Sequence, residues 1–293
     1  MRRKRAHQVV TMYENFRYEA RNNEIEGYLW DCESPDRVLC IIHGIGEHAG
    51  RYDRMCESLR RSNIATVSMD HRGHGKSIGP VGHAAPRGEV LKDVDAMLEY
   101  ASKKYEGVPI TLYGHSMGGN ICLDYRNRGN LNDVPASYIV SAPWVKLVRN
   151  VSKPLYLGMK FLAKVAPKAA MDNGCKSSDL GNKIHVASYD TDPYVHSKVS
   201  FQTAAEGYDI GKALGEGTHP CNHRADNKPF LLMHGDSDKI CSVEGSRMIA
   251  EQNKNNPYFR YIEWPGYYHE IHNGGPKATG DAVIETIREF VLK

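Results

Sequence analysis

The chain has 293 residues, 41% of them hydrophobic and 25% charged, which is the balance of a globular protein with a large buried core. Its 38 Lys and Arg against 35 Asp and Glu leave a formal net charge of +3, too small to point to a nucleic-acid ligand. The seven cysteines are odd in number and never spaced Cys-x-x-Cys, which argues against a disulfide framework and fits a reducing cytoplasm.

The first residues carry the only dense basic run, Arg2, Arg3, Lys4 and Arg5, read as a solvated end with at most a weak attraction to anionic lipid. His7-Gln8-Val9-Val10-Thr11-Met12-Tyr13-Glu14 follows and lacks the continuous apolar stretch of a signal peptide. No apolar run is long enough to span a bilayer. Tyr13–Tyr18 and Glu24–Trp30, on either side of Asn22-Asn23, read as an opening antiparallel hairpin. Five short apolar runs then have the pattern of buried parallel strands: Val38–Ile42, Ile64–Met69, Pro109–Tyr113, Ser137–Val140 and Pro229–Met233. Helical patterns over Glu89–Tyr105, Gly118–Arg128, Glu244–Lys254 and Thr279–Leu292 alternate with them, and Phe259–Trp264 reads as the last strand. Strand alternating with helix predicts an α/β fold with a mostly parallel sheet covered on both faces.

The alternation stops between about Trp144 and Asn227. That segment lies between two core strands and is expected to cap the sheet end where open α/β sheets bind ligands. The expected division is a core of residues 1–143 and 228–293 and a cap, or lid, of residues 144–227. Within the cap, Pro154–Val165 reads as a helix whose Leu155, Tyr156, Leu157, Met159, Phe161 and Leu162 either pack on the core or form an apolar patch.

The chemistry starts at Gly114-His115-Ser116-Met117-Gly118-Gly119, between a strand and a helix. Gly-x-Ser-x-Gly is a common string, but in this context it describes a tight turn that lifts a serine above the strand ends, and the flanking glycines avoid clashes there. Ser116 is therefore the expected nucleophile. It needs a base and an orienting acid, in the chain order Ser, acid, His. Asp236 and Asp238 follow the strand Pro229–Met233, and spacing alone leaves both open as the acid. His269 follows the last strand first and is the expected base. Backbone N–H groups of Met117 and of Ile45, in His43-Gly44-Ile45-Gly46-Glu47-His48, are the expected oxyanion donors. His269-Glu270-Ile271-His272 is one residue short of a zinc-protease pair, and His219-Pro220-Cys221-Asn222-His223 reads as a loop, so neither metal nor organic cofactor is expected. Cys241, three residues after Asp238, is expected near the pocket as an inert thiol.

Three segments together, His43-Gly44-Ile45-Gly46-Glu47-His48-Ala49-Gly50-Arg51-Tyr52, Asp70-His71-Arg72-Gly73-His74-Gly75-Lys76-Ser77 and Gly114–Gly119, resemble the monoacylglycerol lipase and lysophospholipase branch of the α/β-hydrolases, a serine aminopeptidase S33-type domain. The resemblance runs from about Tyr28 to the C-terminus and is loosest in the cap. It implies the α/β-hydrolase fold, Asp238 as the acid, and Glu47, Arg51, Tyr189 and His272 as residues binding the alcohol part of the substrate. Glu47 and Arg51 also read as a structural ion pair. The implied activity is hydrolysis of monoacylglycerol or lysophospholipid-type esters, by a monomer or homodimer whose lid touches membrane surfaces. Lys160, Lys164, Lys168, Lys176 and Lys183 make this lid more basic than the family's apolar lids, which keeps a short-chain or aryl (hydroxycinnamoyl-type) carboxylesterase open. A proline iminopeptidase-like peptidase and a non-catalytic binding protein are the remaining alternatives. A serine at the elbow excludes the simple dehalogenase and epoxide hydrolase readings.

Overall fold

The structure, a computed structural model, describes residues 13–293; the basic run Arg2–Arg5 lies outside them. Strands β1 (Glu14–Arg17) and β2 (Glu26–Trp30) pair antiparallel with Phe16 opposite Gly27. The turn between them uses Asn22 and Asn23 at φ 55° and 59°, a left-handed region that asparagine tolerates better than most residues. Next come β3 (Arg37–Ile42), α1 (Asp53–Arg60), β4 (Ile64–Met69), α2 (Arg87–Lys104), β5 (Ile110–His115), α3 (Met117–Arg128) and β6 (Ser137–Ser141). The segment after β6 contains α4 (Lys153–Val165), the three-residue strands β7 (Ala170–Asp172) and β8 (Lys198–Ser200), and α5 (Phe201–Glu216). The chain closes with β9 (Phe230–Gly235), α6 (Val243–Gln252), β10 (Phe259–Trp264) and α7 (Asp281–Leu292).

Eight strands form one sheet in the order β1-β2-β4-β3-β5-β6-β9-β10, antiparallel at β1-β2-β4 and parallel from β4 to β10. The apolar runs become strands because every residue of β4, β5, β6 and β9 is buried, each sheet face being covered by helices. One face packs Val90, Val94 and Met97 of α2, Ile121 of α3 and Ile249 of α6; the other packs Met55 and Leu59 of α1 and Val283, Ile284 and Ile287 of α7. Parallel strands joined by helices bring their C-terminal ends to one edge, and His43, Ser116, Asp238 and His269 all follow such ends.

The segment between β6 and β9 is not uniform. Helix α5 packs against both α3 and α6, and Asn120 Nδ2 of α3 donates to Gly207 O at 3.2 Å. Helix α4 rests on α5 and buries only Met159, leaving Leu155, Leu157, Phe161 and Val165 50%, 56%, 63% and 61% exposed. The pair β7–β8 is a separate two-stranded ribbon. Among the described residues no helix is long and apolar enough to cross a membrane.

Candidate active site

Strand β5 lies between β3 and β6 and ends at His115, so the next residue stands at the centre of the sheet edge. Ser116 has φ 57° and ψ −117°, a strained conformation for a residue with a side chain. Its backbone is held there by bonds on both sides: Ser116 N donates to Ser141 O at 3.0 Å, and Trp144 N donates to Ser116 O at 2.9 Å. The glycines make the turn possible. A Cβ on Gly114 would lie 2.3 Å from Gly118 O, and one on Gly118 would lie 2.0 Å from Ile42 O. Helix α3 begins at Met117, so its N-terminal dipole adds positive potential beside the Ser116 hydroxyl.

The loops after β9 and β10 complete a chain of hydrogen bonds. His269 Nε2 lies 2.8 Å from Ser116 Oγ, and His269 Nδ1 lies 2.6 Å from Asp238 Oδ2. Asp238 Oδ1 accepts the backbone N–H of Ile240 at 2.7 Å and of Cys241 at 3.0 Å. Burial alone would raise the Asp238 carboxyl, but the His269 charge and hydrogen bonds from His234 and His269 outweigh it and hold it well below the usual range. Burial opposes charge on His269 as well, yet the Asp238 carboxylate raises its pKa above the ordinary value. Asp236, the other candidate from spacing, is exposed and bridges the loops instead, accepting from Gly266 N at 2.7 Å and Ser237 Oγ at 2.9 Å.

The loop after β3 wraps around Glu47. Its Oε1 accepts Gly44 N at 2.6 Å and the Tyr52 hydroxyl at 2.9 Å, which fixes the backbone on either side of Ile45. Ile45 lines the cavities beside Ser116, and Met117 is the first residue of α3. Arg51 Nη1 donates to Glu47 Oε2 at 2.6 Å and to Glu270 Oε1 at 2.6 Å, while Nη2 reaches Glu270 Oε2 at 3.0 Å. One buried guanidinium thus ties the loop after β3 to the loop carrying His269. Burial raises the Glu270 carboxyl, but Arg51 more than reverses this and brings it down to about 2. Tyr189, in the segment between β6 and β9, has the Arg51 guanidinium over its ring at 4.8 Å, and His272 stacks on Tyr52 at 5.0 Å. Burial lowers the His272 ring to about 3.

Sequence reasoning singled out neither Glu270 nor His115. The His115 ring lies 4.8 Å from that of His269 and 5.5 Å from that of His272. The available signal was a charged residue and a histidine directly adjoining His269 and Ser116.

Ser116 stands where two hollows meet. One, of about 240 Å³, is lined mainly by apolar side chains, among them Ile45, Trp144, Leu155, Met159, Val199 and Cys241. The other, of about 10 Å³, has room for one water and is bounded by Glu47, Arg51, His115, Tyr189, His269 and Glu270. An apolar slot on one side and a polar pocket on the other suit a substrate with an acyl chain and a hydroxylated or polar alcohol. Burial pushes the Cys241 thiol well up, in keeping with an unreactive group. Among the described residues, Cys221, His223 and Asp226 are the only three whose metal-type ligand atoms all lie within 4.8 Å of one another; His223 Nδ1 already meets Asp226 Oδ2 at 2.9 Å, and both residues are exposed.

Comparison with known proteins gives this geometry its context. Residues 33–275 match the family described as Serine aminopeptidase, S33. The monoacylglycerol lipase of Mycolicibacterium smegmatis is 30% identical over 253 residues, covering 84% of this chain and 86% of that protein. Phospholipase YtpA of Bacillus subtilis is 30% identical over 252 residues, covering 84% of this chain and 92% of that protein. The crystal structure of Paleococcus ferrophilus monoacylglycerol lipase superposes with a TM-score of 0.79 at 27% identity, over 92% of this chain and 98% of that one.

Proposed function

The chain belongs to the serine aminopeptidase S33 family, has the α/β-hydrolase fold and is a serine ester hydrolase, and we propose that it cleaves monoacylglycerol or lysophospholipid-type esters through Ser116, His269 and Asp238. In this reading His269 removes the Ser116 proton as the oxygen attacks the ester carbonyl, and Asp238 holds the imidazole in the tautomer with Nδ1 protonated. The N–H groups of Ile45 and Met117 receive the oxyanion, a donor being worth about 3 kcal/mol in such sites. The alcohol leaves with the proton from His269. Water, deprotonated by the same histidine, then splits the acyl-enzyme. The observation that carries the substrate class is the meeting at Ser116 of the apolar hollow with the pocket of Glu47, Arg51, Tyr189 and His269. Glu47, Arg51, Tyr189 and His272 are assigned to the alcohol side of the ester, the cap to residues 144–227, with α5 as its anchor in the core layer, and the core to residues 1–143 and 228–293. The exposed apolar side chains of α4, with Lys153, Lys160 and Lys164 on the same helix, support brief contact of the cap with a membrane surface. Seven free thiols support a cytoplasmic setting. A monomer and a homodimer fit equally.

A short-chain or aryl carboxylesterase is the second reading, favoured by the size of the polar pocket, which at about 10 Å³ takes no glyceryl group until the cap moves. A proline iminopeptidase-like peptidase needs a free carboxylate for a substrate amine; Glu47 and Glu270 are both occupied by Arg51, which leaves Asp172, on the wall of the apolar hollow, as the cap acid for that role. The deciding experiment sets p-nitrophenyl esters of increasing chain length beside monoacylglycerols, a lysophospholipid and a hydroxycinnamate ester, with Ser116→Ala as control. Turnover of long-chain monoacylglycerol or lysophospholipid, absent in the variant and in fluorophosphonate labelling of it, supports the proposal. A rate maximum at the shortest acyl chains without turnover of either lipid overturns the lipid reading and leaves the esterase.

A further inference from the structure

Asp238 carries one hydrogen bond that the mechanism does not use. His234, the fifth residue of β9, is fully buried, and its Nε2 lies 3.1 Å from Asp238 Oδ2, the same oxygen that meets His269 Nδ1 at 2.6 Å. Nε2 is also 3.1 Å from Cys241 O, and Nδ1 is 2.7 Å from Ser246 Oγ at the start of α6. A carboxylate and a carbonyl only accept, so Nε2 carries a proton and donates; Nδ1 then takes the hydroxyl proton of Ser246. The relay runs from Ser246 through His234 to Asp238. With the N–H groups of Ile240 and Cys241 on Oδ1, both carboxylate oxygens are filled.

We propose that His234 is a positioning residue for the reaction: its Nε2–H pins Asp238 Oδ2 and shares the electron density that this oxygen offers to His269, with Ser246 setting the ring's tautomer. The inference rests on the assignment of Asp238 as the acid. Two consequences follow. Without the donor, Asp238 is free to rotate about its side-chain bonds, and the His269 tautomer is less well held. Oδ2 also becomes a stronger partner for the imidazolium, so His269 keeps its proton to higher pH. The groups facing this pair are few. Glu263 of β10 lies level with His234 in the strand register and is paired with Arg247 at 2.8 Å. On the other side the Glu270 and Glu47 carboxylates and the ring of His115 face His269. None of these groups is touched by a change at residue 234 or 246.

The test is the pH profile of kcat/KM on a soluble p-nitrophenyl ester, with thermal unfolding of each variant as a check on folding. His234→Leu and Ser246→Ala are expected to lower kcat/KM on the order of tenfold, as loss of supporting hydrogen bonds does, and to move the acid limb to higher pH. His234→Gln, whose amide N–H occupies about the place of Nε2–H, is expected to restore most of the activity and the original limb. Should His234→Leu fail to fold, Ser246→Ala and His234→Gln still decide. An acid limb unmoved in folded Ser246→Ala, or a His234→Gln as impaired as His234→Leu, overturns the proposal. Asp238→Asn is measured alongside. Activity retained there overturns the acid assignment itself, whereas an inactive Asp238→Asn with unshifted His234 and Ser246 profiles overturns only the role of His234.

Discussion

At the scale of single residues, the site is a set of buried charges that hold one another. His269 is raised above its ordinary value of 6.5 by Asp238, and in the proposed role of base it works only when neutral. The fraction of competent enzyme therefore falls as pH drops through a value above 6.5, and kcat/KM on a neutral ester should show its acid limb there. A limb at or below 6.5 contradicts the assignment. Asp238→Asn should lose about four orders of magnitude in kcat, the cost of presenting the wrong tautomer, while Asp236→Asn, which alters only a loop bridge, keeps most activity. Arg51 is the other junction. Arg51→Met leaves Glu47 and Glu270 buried without their cation, which should cost about 3–5 kcal/mol of stability by denaturant unfolding. The sign with pH follows from Arg51 lowering both carboxyls: it brings Glu270 down to about 2 against roughly 4.3 for a free glutamate, and it offsets part of the burial that raises Glu47. The stabilisation is complete above the unfolded value and fades as pH falls toward 2, so the gap between wild type and variant should be widest near neutrality and narrow in acid. A gap that does not change with pH speaks against the ion pair as its source.

At the scale of elements, the serine turn is the feature that residue spacing described best, because glycine is demanded by backbone contact and not by pattern. In Gly118→Ala the new Cβ would stand 2.0 Å from Ile42 O and 2.5 Å from His43 O, so α3 must back away from the loop after β3. Activity should fall at least a hundredfold as the proposed donors at Ile45 and Met117 separate, with a lowered Tm; near-normal kcat disproves this view of the turn. The apolar runs read as strands because both sheet faces are covered. Elements missing from the sequence reading are α1, eight residues long, the three-residue strands β7 and β8, which are too short to show a period, and the sixteen-residue α5, whose buried face of Ala204, Ala205, Gly207, Gly211 and Gly215 carries little apolar signal. Glu270 escaped because its tetrapeptide was weighed as a metal motif, whereas its partner Arg51 lies 219 residues away. Helix α4 had two readings, and the structure leaves most of its large apolar side chains at the surface. Leu157→Ser with Phe161→Ser should weaken sedimentation with anionic vesicles and leave turnover of a soluble short-chain ester unchanged. Equal vesicle binding by wild type and double variant removes α4 as the contact.

At the scale of the whole molecule, the arrangement follows from one interruption: β6 and β9 are neighbours in the sheet, yet 88 residues, numbers 142–229, separate them in the chain. The break in strand–helix alternation marks the segment between β6 and β9 in the sequence, whereas its seating on the core has no such mark. The seam combines backbone bonds, such as His196 N to Gly46 O at 2.9 Å and Ser200 N to Gly82 O at 2.9 Å, with side-chain ties, among them His48–Asp192 at 2.9 Å, His83–Ser200 at 2.8 Å and His219–Asp124 at 2.8 Å. Carbonyls and amides leave no mark in a residue pattern. The seam holds Tyr189 over Arg51 and reduces the polar pocket to about 10 Å³, with Ser116 only 5% exposed. If the cap sets the size of the alcohol, then Tyr189→Ala should raise kcat/KM for esters of bulky alcohols relative to methyl esters of the same acid by about tenfold, the scale on which a pocket discriminates by volume. The acid stays constant across the pairs, so the apolar hollow contributes equally to both members and cancels. Ratios unchanged by the substitution mean that the alcohol enters by another route, and the pocket beneath Tyr189 then serves only to hold Arg51 between its two carboxylates.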